Sequence, residues 1–163
     1  MTKFNRIIPN NLFKLSLTYF HKTELKVMEN EQKPRILITE DDSENQRFLR
    51  MFLRRNFITD ICDSDVTLYE NLRRNNYDVI LMDISLKGDK NGLELTRELK
   101  ADLEFRDIPI ICLTAHAFKK DVENALNAGV DIFLTKPVDN HILMDTLLKA
   151  AGKRFNGEDE NKN

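Results

Sequence analysis

Four short apolar runs in this chain each end in side chains that suit a divalent cation or a phosphoryl group. A continuous apolar run of about four to eight residues is typical of a strand buried on both faces of a parallel sheet. Ionised side chains are costly inside such a strand and belong at its end, where open α/β folds bind ligands. The runs and the residues that follow them are Arg35–Thr39 with Glu40 and Asp41, Asp78–Met82 with Asp83, Pro109–Leu113 with Thr114, and Asp131–Thr135 with Lys136. If these strands are parallel, the carboxylates, the hydroxyl and the ammonium converge on one edge of the sheet.

Each of these signals is weak when it stands alone. Glu40 and Asp41 also fit a solvated turn whose charges favour the N-terminus of the next helix. Asp83 alone fits the first residue of a loop, Thr114 alone fits a helix cap, and Lys136 before a proline fits a turn. Their occurrence together at four strand ends, in chain order, favours a cation-binding and phosphoryl-binding site over independent coincidences.

The segment from Pro34 to Gly152 alternates strand-like and helix-like patterns five times. Ser43 with Gln46 three residues later has the form of a capping box and predicts the start of the first helix. Gly129 and Gly152 are predicted to end the fourth and fifth helices. Apolar stripes at helical spacing comprise Phe48, Leu49, Phe52 and Leu53 in the first helix and Ile142, Leu143, Leu147, Leu148 and Ala151 in the last. Repeated β-α units with right-handed crossovers predict an α/β fold with an open, doubly wound parallel sheet.

Composition excludes several classes of protein. Apolar residues make up 41% of the 163 residues, enough to build a core without disulfides. The net charge is −2 overall and −5 over residues 34–152, which disfavours a general nucleic-acid or anionic-membrane binder and suits a cation site. Cys62 and Cys112 lie in apolar runs and are expected to be buried thiols rather than zinc ligands. No apolar run approaches the ~18 residues of a membrane span, and the first segment lacks the pattern of a signal peptide, so a cytoplasmic setting is expected.

The two flanks differ in composition from the central segment. Residues 1–33 carry six Lys or Arg against three acidic residues and are interpreted as a basic extension or linker. Residues 153–163 carry three basic and three acidic residues and are interpreted as a polar tail. Neither flank is long enough for a second globular domain, so residues 34–152 are predicted to form the folded domain.

The chain resembles the receiver domains of two-component response regulators over roughly residues 34–152. The motifs that carry the resemblance are ILITEDD, DVILMD, IPIICLTA, and IFLTKP with the preceding NAGVD. They are specific as a set rather than singly. The resemblance implies a flavodoxin-like (βα)5 fold with strand order 2-1-3-4-5, and a site between the first and third strands.

The resemblance also implies a role for each residue of the predicted site. Asp83 would be the phosphoacceptor, and Mg²⁺ would be held by Glu40, Asp41, Asp83 and the backbone carbonyl of Ser85. Switching on phosphorylation would involve Thr114, Lys136 and Phe133. His116, two residues after Thr114, would modulate hydrolysis, although a loop histidine without a role fits the sequence equally well.

Two features depart from the family pattern. Lys87 stands where a proline is common, and the segment SLKGDKNG is one residue longer than usual, which puts the loop geometry in doubt. The first acidic residue, Glu40, stands where aspartate is commoner. Because that position often acts through a metal-bound water, the longer side chain is expected to be tolerated.

The predicted function is that of a stand-alone signalling switch. Its donor would be a sensor histidine kinase or a phosphotransfer protein, and its output would be protein contact through the face of helix four, strand five and helix five, without DNA binding. A relay intermediate is an alternative. A Mg²⁺-dependent phosphohydrolase with an aspartyl nucleophile is disfavoured, because such enzymes usually have a second Asp where this chain has Ser85.

Overall fold

The computed structural model describes residues 33–86, 89–115 and 118–155, with side chains up to Gly152. Its elements alternate between strand and helix along the chain. They are β1 (Arg35–Thr39), α1 (Ser43–Leu53), β2 (Ile58–Cys62), α2 (Asp65–Arg74), β3 (Val79–Met82), α3 (Gly92–Ala101), β4 (Ile110–Thr114), α4 (Lys119–Ala128), β5 (Ile132–Thr135) and α5 (Asn140–Phe155).

The strands form one parallel sheet in the order β2-β1-β3-β4-β5. The predicted α/β fold and strand order are therefore confirmed. Thr39 of β1 pairs with Met82 of β3, so the residues after these two strands emerge side by side. The order reverses between β1 and β3, and this is where an open α/β sheet leaves a crevice at its carboxyl edge.

Alternate residues of the strands face two apolar cores on opposite sides of the sheet. Ile36 and Ile38 of β1 face the core formed with α1 and α5, whereas Leu37 faces the core formed with α2 and α3. Strand β3 is buried at all four positions, as expected for a central strand covered on both faces. The peptide bond between Lys136 and Pro137, after β5, is cis.

The capping box predicted for Ser43 and Gln46 is wrong. The N-cap of α1 is Asp42, whose Oδ1 accepts hydrogen bonds from the backbone amides of Glu44 and Asn45. An ionised carboxylate is a strong acceptor at a helix N-terminus, so the Asp42 side chain caps the helix in place of Ser43. The Gln46 side chain instead donates to the carbonyl oxygen of Glu40 at 2.6 Å.

One of the two predicted helix ends is confirmed. Gly129 follows α4 with φ of 95°, a left-handed conformation that favours glycine, and its amide bonds to the end of the helix. Gly152 does not end α5, which continues to Phe155. A glycine ends a helix by adopting positive φ, and among the described glycines only Gly129 does so.

Three apolar residues predicted to belong to the buried stripes of the helices are exposed. Phe48 of α1 and Ile142 and Leu148 of α5 expose 46%, 55% and 36% of their surface. Because consecutive helical residues are about 100° apart, Ile142 and Leu148 point away from the arc that buries Leu143 and Leu147. The stripe that packs on the sheet is therefore narrower than the sequence pattern suggested.

Candidate functional site

Asp83 follows β3 directly and lies at the carboxyl edge of the sheet. It is 8% exposed, so it is desolvated on most sides but open at the crevice. Its backbone amide donates to both the carbonyl and the hydroxyl oxygen of Thr39 at 3.1 Å, which holds the residue against β1. Its Oδ1 accepts a hydrogen bond from the Ser85 amide at 3.0 Å. The carboxylate is therefore fixed by its neighbours before any ligand binds.

Lys136 reaches the same edge from the end of β5. Its Nζ lies 2.7 Å from Asp83 Oδ2 and 2.9 Å from Glu40 Oε2. Burial lowers the pKa of Lys136, but hydrogen bonds to Asp83 and Glu40 outweigh burial and raise the pKa above its ordinary value. The ammonium group stays charged at neutral pH and lies against Oδ2 of Asp83.

Glu40 is more deeply buried than the sequence suggested. Only 3% of the residue is exposed, and its Oε1 accepts a hydrogen bond from the Asp42 amide at 3.2 Å. The other oxygen binds Lys136. Both carboxylate oxygens therefore have protein partners in the structure, one of them the Lys136 ammonium.

The oxygen donors at this edge suit a hard divalent cation. Asp41 and Asp83 follow the neighbouring strands β1 and β3, and the Ser85 carbonyl belongs to the loop that begins at Asp83. Carboxylate, carbonyl and water oxygens are the ligands that Mg²⁺ prefers. Among the described residues, no group of three His, Cys, Asp or Glu side chains could hold a metal ion by itself. The residues therefore fit a cation that keeps several waters and takes two carboxylates and a carbonyl.

Thr114 and Phe133 lie on the two strands beyond β3. Thr114 is fully buried at the end of β4, and its carbonyl oxygen accepts a hydrogen bond from the Lys136 amide at 2.8 Å. Phe133 on β5 pairs with Cys112 of β4 and packs against a small apolar cluster with Ala125 of α4. Thr114 is thus hydrogen-bonded to Lys136, and Phe133 lies on β5, the strand that Lys136 follows. His116 and Lys87 lie outside the described residues.

An apolar cavity of about 210 Å³ opens beside Lys136, between α1 and the start of α5. Glu40 and Lys136 also line this cavity. Its apolar lining is formed by Phe48, Leu49, Leu113, Pro137, Val138 and Leu143.

The family model described as "Response regulator receiver domain" matches residues 36–148, which include all of the strands except Arg35, the first residue of β1, and most of the helical segments. The chain belongs to this family. The resemblance noted in its motifs is thereby confirmed, and the protein is a receiver domain of two-component signalling.

Similar proteins fall into two kinds. The response regulator DivK of Brucella ovis is 32% identical over 118 residues, which cover 72% of this chain and 95% of that protein. A hybrid signal transduction histidine kinase of Dictyostelium discoideum is 38% identical over 122 residues, but the match spans only 7% of its length. The crystal structure of the receiver domain of a Pseudomonas aeruginosa PAO1 sensor histidine kinase has a TM-score of 0.67, 34% identity and coverage of 74% of this chain and 99% of that one. That structure contains a magnesium ion coordinated in its active-site cleft.

Two residues of this receiver domain that shape the site were missed in the sequence. Gly92 opens α3, and its amide donates to the Ile84 carbonyl at 3.1 Å. A Cβ atom at this position would overlap the carbonyl oxygen of Asp83, so only glycine lets α3 approach the loop that begins at Asp83 so closely. Thr39 was read only as the end of a strand. Glycine in a turn-rich segment was the available signal for the first, and nothing in the sequence pattern indicated the second.

Within the part of the chain that the structure describes, no helix is both long and apolar enough to cross a membrane.

Proposed function

We propose that this receiver domain accepts a phosphoryl group on Asp83 in the presence of Mg²⁺ and signals by changing its protein contacts. The observation that carries the proposal is the position of Asp83 in the crevice, with its Oδ2 2.7 Å from the Lys136 ammonium. A carboxylate at an open edge, beside a cation and additional oxygen donors, has the arrangement that phosphoryl transfer requires.

In the proposed reaction an Asp83 carboxylate oxygen attacks the phosphorus atom in line with the leaving group. A bond forms between that oxygen and phosphorus, and the bond from phosphorus to the donor breaks with its electron pair leaving on the donor. Lys136 stabilises the negative charge on the phosphoryl oxygens, and the Ser85 amide keeps the other Asp83 oxygen oriented. Mg²⁺, held by Asp41, Asp83 and the Ser85 carbonyl, would neutralise the charge that accumulates between the carboxylates and the phosphoryl group.

Glu40 would contribute to this reaction through Lys136, and its predicted contact with a metal-bound water stays a prediction. Its carboxylate lies 2.9 Å from the ammonium, which is also 2.7 Å from Asp83 Oδ2. This contact would help to keep Lys136 beside the reacting oxygen. Thr114 and Phe133 would respond to the new phosphoryl charge, and the modulatory role predicted for His116 stays a prediction.

The donor is proposed to be a histidine kinase or a phosphotransfer protein, and a cytoplasmic setting stays a prediction from the sequence. Similarity to DivK over 95% of that protein supports a stand-alone regulator. Similarity to receiver domains within sensor and hybrid kinases supports the alternative of a relay intermediate. The two alternatives share the chemistry at Asp83 and differ in where the phosphoryl group goes next.

Phosphorylation is tested by incubation with acetyl phosphate and Mg²⁺, followed by intact-mass measurement. We expect wild type to gain one phosphoryl group, Asp83→Asn to gain none, and EDTA to block the reaction. Asp145→Asn is the matched control, because Asp145 is an exposed carboxylate on α5 that forms an ion pair with Lys149 of the same helix. Equal labelling of Asp83→Asn and wild type would rule out the assignment.

The relay alternative is tested with the phosphorylated protein itself. Incubation with a histidine phosphotransfer protein moves the phosphoryl group off Asp83 if the chain is an intermediate. A terminal regulator keeps the group until it hydrolyses to inorganic phosphate, and mass spectrometry of both proteins distinguishes the two outcomes.

A further inference from the structure

The loop after Asp83 is anchored at both of its described ends. At its start, the Ser85 amide binds Asp83 Oδ1, and Leu86 is 8% exposed in the core beneath α2 and α3. At its end, the Gly92 amide binds the Ile84 carbonyl, which closes the loop at its base. These contacts hold the described ends of the loop, and with them Ser85, against Asp83 and the core.

A third anchor is formed by Tyr69, Lys90 and Glu98, which we call the loop clamp. Lys90 lies in the loop, and its Nζ is 2.7 Å from Oε1 and 2.8 Å from Oε2 of Glu98 on α3. Tyr69 of α2 donates its hydroxyl to Glu98 Oε2 at 2.8 Å. One carboxylate thus ties the loop to two helices.

The charges of the clamp reinforce one another. Hydrogen bonds from Lys90 and then from Tyr69 lower the pKa of Glu98, and the hydrogen bond to Glu98 raises the pKa of Lys90. Both groups therefore remain ionised across the physiological range. The clamp does not contact the residues proposed to react, and neither member of its ion pair has a role in the proposed chemistry.

Helix α3, which carries Glu98, is itself positioned against the phosphoacceptor. Asn91 caps the helix by accepting from the amides of Leu93 and Glu94, and the Glu94 carboxylate accepts a hydrogen bond from the Asn91 amide. Gly92 packs directly on the Asp83 carbonyl. Through its contact with Lys90, Glu98 therefore ties the loop to a helix whose first residue packs against Asp83.

We propose that Glu98 is a positioning residue for the divalent-cation site, because it holds Lys90 and thereby keeps the loop that carries Ser85 in the geometry that binds Mg²⁺. The inference rests on the proposed function and adds a residue that neither the motifs nor the site geometry assigns. An exposed ion pair adds little to global stability, so its effect is expected in the loop rather than in the melting temperature.

The test is a Mg²⁺ titration of Glu98→Gln and wild type, followed by the NMR amide resonances of Asp83, Ser85 and Leu86. Glutamine keeps the size of the side chain and an acceptor for Tyr69 but loses the ion pair with Lys90. We expect the Kd for Mg²⁺ to rise about threefold, in the range of an exposed ion pair, with little change in melting temperature. Phosphorylation from acetyl phosphate should slow at subsaturating Mg²⁺ and recover at saturating Mg²⁺.

Two further variants test whether Glu98 affects Mg²⁺ binding through its contact with Lys90. Lys90→Gln should raise the Kd as Glu98→Gln does, and the double variant should be no weaker than either single variant, since both remove the same contact. Asp145→Asn removes a carboxylate 2.7 Å from Lys149 on α5 and should leave the Kd unchanged. An unchanged Kd in Glu98→Gln, or additive losses in the double variant, would overturn the proposal.

A failure of the proposed function gives a different result. If wild type shows no Mg²⁺ binding, the function proposed above fails, and the clamp is then judged by amide exchange of residues 84–91 without metal. Faster exchange in Glu98→Gln than in wild type and Asp145→Asn supports the clamp. Equal exchange in all three proteins refutes it.

Discussion

At the scale of single residues, the ammonium of Lys136 compensates two carboxylates of low exposure. Glu40 is 3% exposed, whereas the Lys136 side chain is 28% exposed. Removing the cation would leave the buried Glu40 carboxylate without its ionic partner. The repulsion between the Glu40 and Asp83 carboxylates would then no longer be compensated. We expect Lys136→Met to destabilise the protein by about 1–3 kcal/mol in EDTA, measured by urea unfolding. Since a cation can replace the lost charge, added Mg²⁺ should recover part of this loss.

The double variant Lys136→Met with Glu40→Gln tests this explanation. A neutral side chain at position 40 no longer needs a cation, while its oxygen still accepts from the Asp42 amide. The double variant should therefore be more stable than Lys136→Met alone. If it is less stable, the loss comes from packing around Lys136 and not from the uncompensated charge.

The two cysteines give a second prediction at this scale. Both are free and buried, and burial raises the pKa of Cys62 and of Cys112 to about 12, with nearby Asp63 and Asp83 adding to the shift. The thiolate fraction at pH 8 is then roughly 1 in 10,000. Reaction with a disulfide reagent should be at least about a hundredfold slower than for free cysteine, and both thiols should react in urea. Fast labelling of either thiol in the native protein would contradict the burial.

The same shifts fix the direction of a pH effect. The folded thiols stay protonated above their ordinary pKa of 9.0, while those of the unfolded chain ionise. Their contribution to stability is complete below pH 9 and is lost as the pH rises towards 12. A urea midpoint that is constant across this range would disagree with the raised pKa values.

Residue types at strand ends could be predicted because they follow from burial along a short segment. Asp83 ends a run that is buried at every position, and the sequence shows both the run and the acid. The pairing of Glu40 with Lys136 could not be predicted, because the residues are 96 positions apart and their contact depends on side-chain geometry. The sequence shows that Glu40 is one methylene longer than aspartate, but its contact with Lys136 is visible only in the folded structure.

At the scale of elements, the start of α3 is the most constrained point of the site. A Cβ at Gly92 would overlap the Asp83 carbonyl, and this atom belongs to backbone that cannot easily move. We expect Gly92→Ala to destabilise the protein by about 1–3 kcal/mol, in the range of overpacking, and to slow phosphorylation by displacing the loop. Urea unfolding and acetyl phosphate labelling measure the two effects.

Gly152→Ala is the matched control for this prediction. Gly152 lies inside α5, has nothing within 4 Å of an added Cβ and does not have positive φ. Alanine is the better helix former, so this variant should gain about 0.5–1 kcal/mol. Equal effects of the two substitutions would contradict the close approach at Gly92.

Helix and strand identities could be predicted, whereas some helix boundaries could not. The cap of α1 is decided by which acceptor reaches the first amides, and three candidates, Asp41, Asp42 and Ser43, stand in a row. The continuation of α5 past Gly152 depends on the φ that the glycine adopts, which its identity alone does not determine. After Gly129 the strand-like run Asp131–Thr135 begins within two residues, so the chain must leave the helix there.

At the scale of the whole molecule, the sheet and its two cores lie within the segment predicted as the domain. The matched family segment, residues 36–148, begins inside β1 and ends inside α5. We therefore propose that residues 28–163 fold and accept a phosphoryl group as the full chain does. Their melting temperature should agree within about 5 °C, which corresponds to roughly 1 kcal/mol for a domain of this size. A larger difference, or slower labelling by acetyl phosphate, would show that the first 27 residues contribute.

The final prediction concerns the route from Asp83 to a partner. Lys136 contacts Asp83, the Lys136 amide binds the Thr114 carbonyl, and Phe133 on β5 packs against the cluster that contains Ala125 of α4. A new charge on Asp83 therefore acts first on the ends of β4 and β5. These strands frame the face formed by α4, β5 and α5, and we expect phosphorylation to alter this face as a two-state element.

Amide exchange with and without a beryllofluoride adduct tests this route in wild type and Asp83→Asn. Protection in wild type should change mainly between residues 114 and 150, and Asp83→Asn should show no change, because it lacks the oxygen that holds the adduct. Changes confined to residues 43–75 would place the response on α1 and α2 instead. The net charge of −5 over residues 34–152 opposes attraction to phosphate backbones, so neither form should bind duplex DNA at 150 mM salt. Tight, salt-sensitive DNA binding on activation would show that the output is not limited to protein contact.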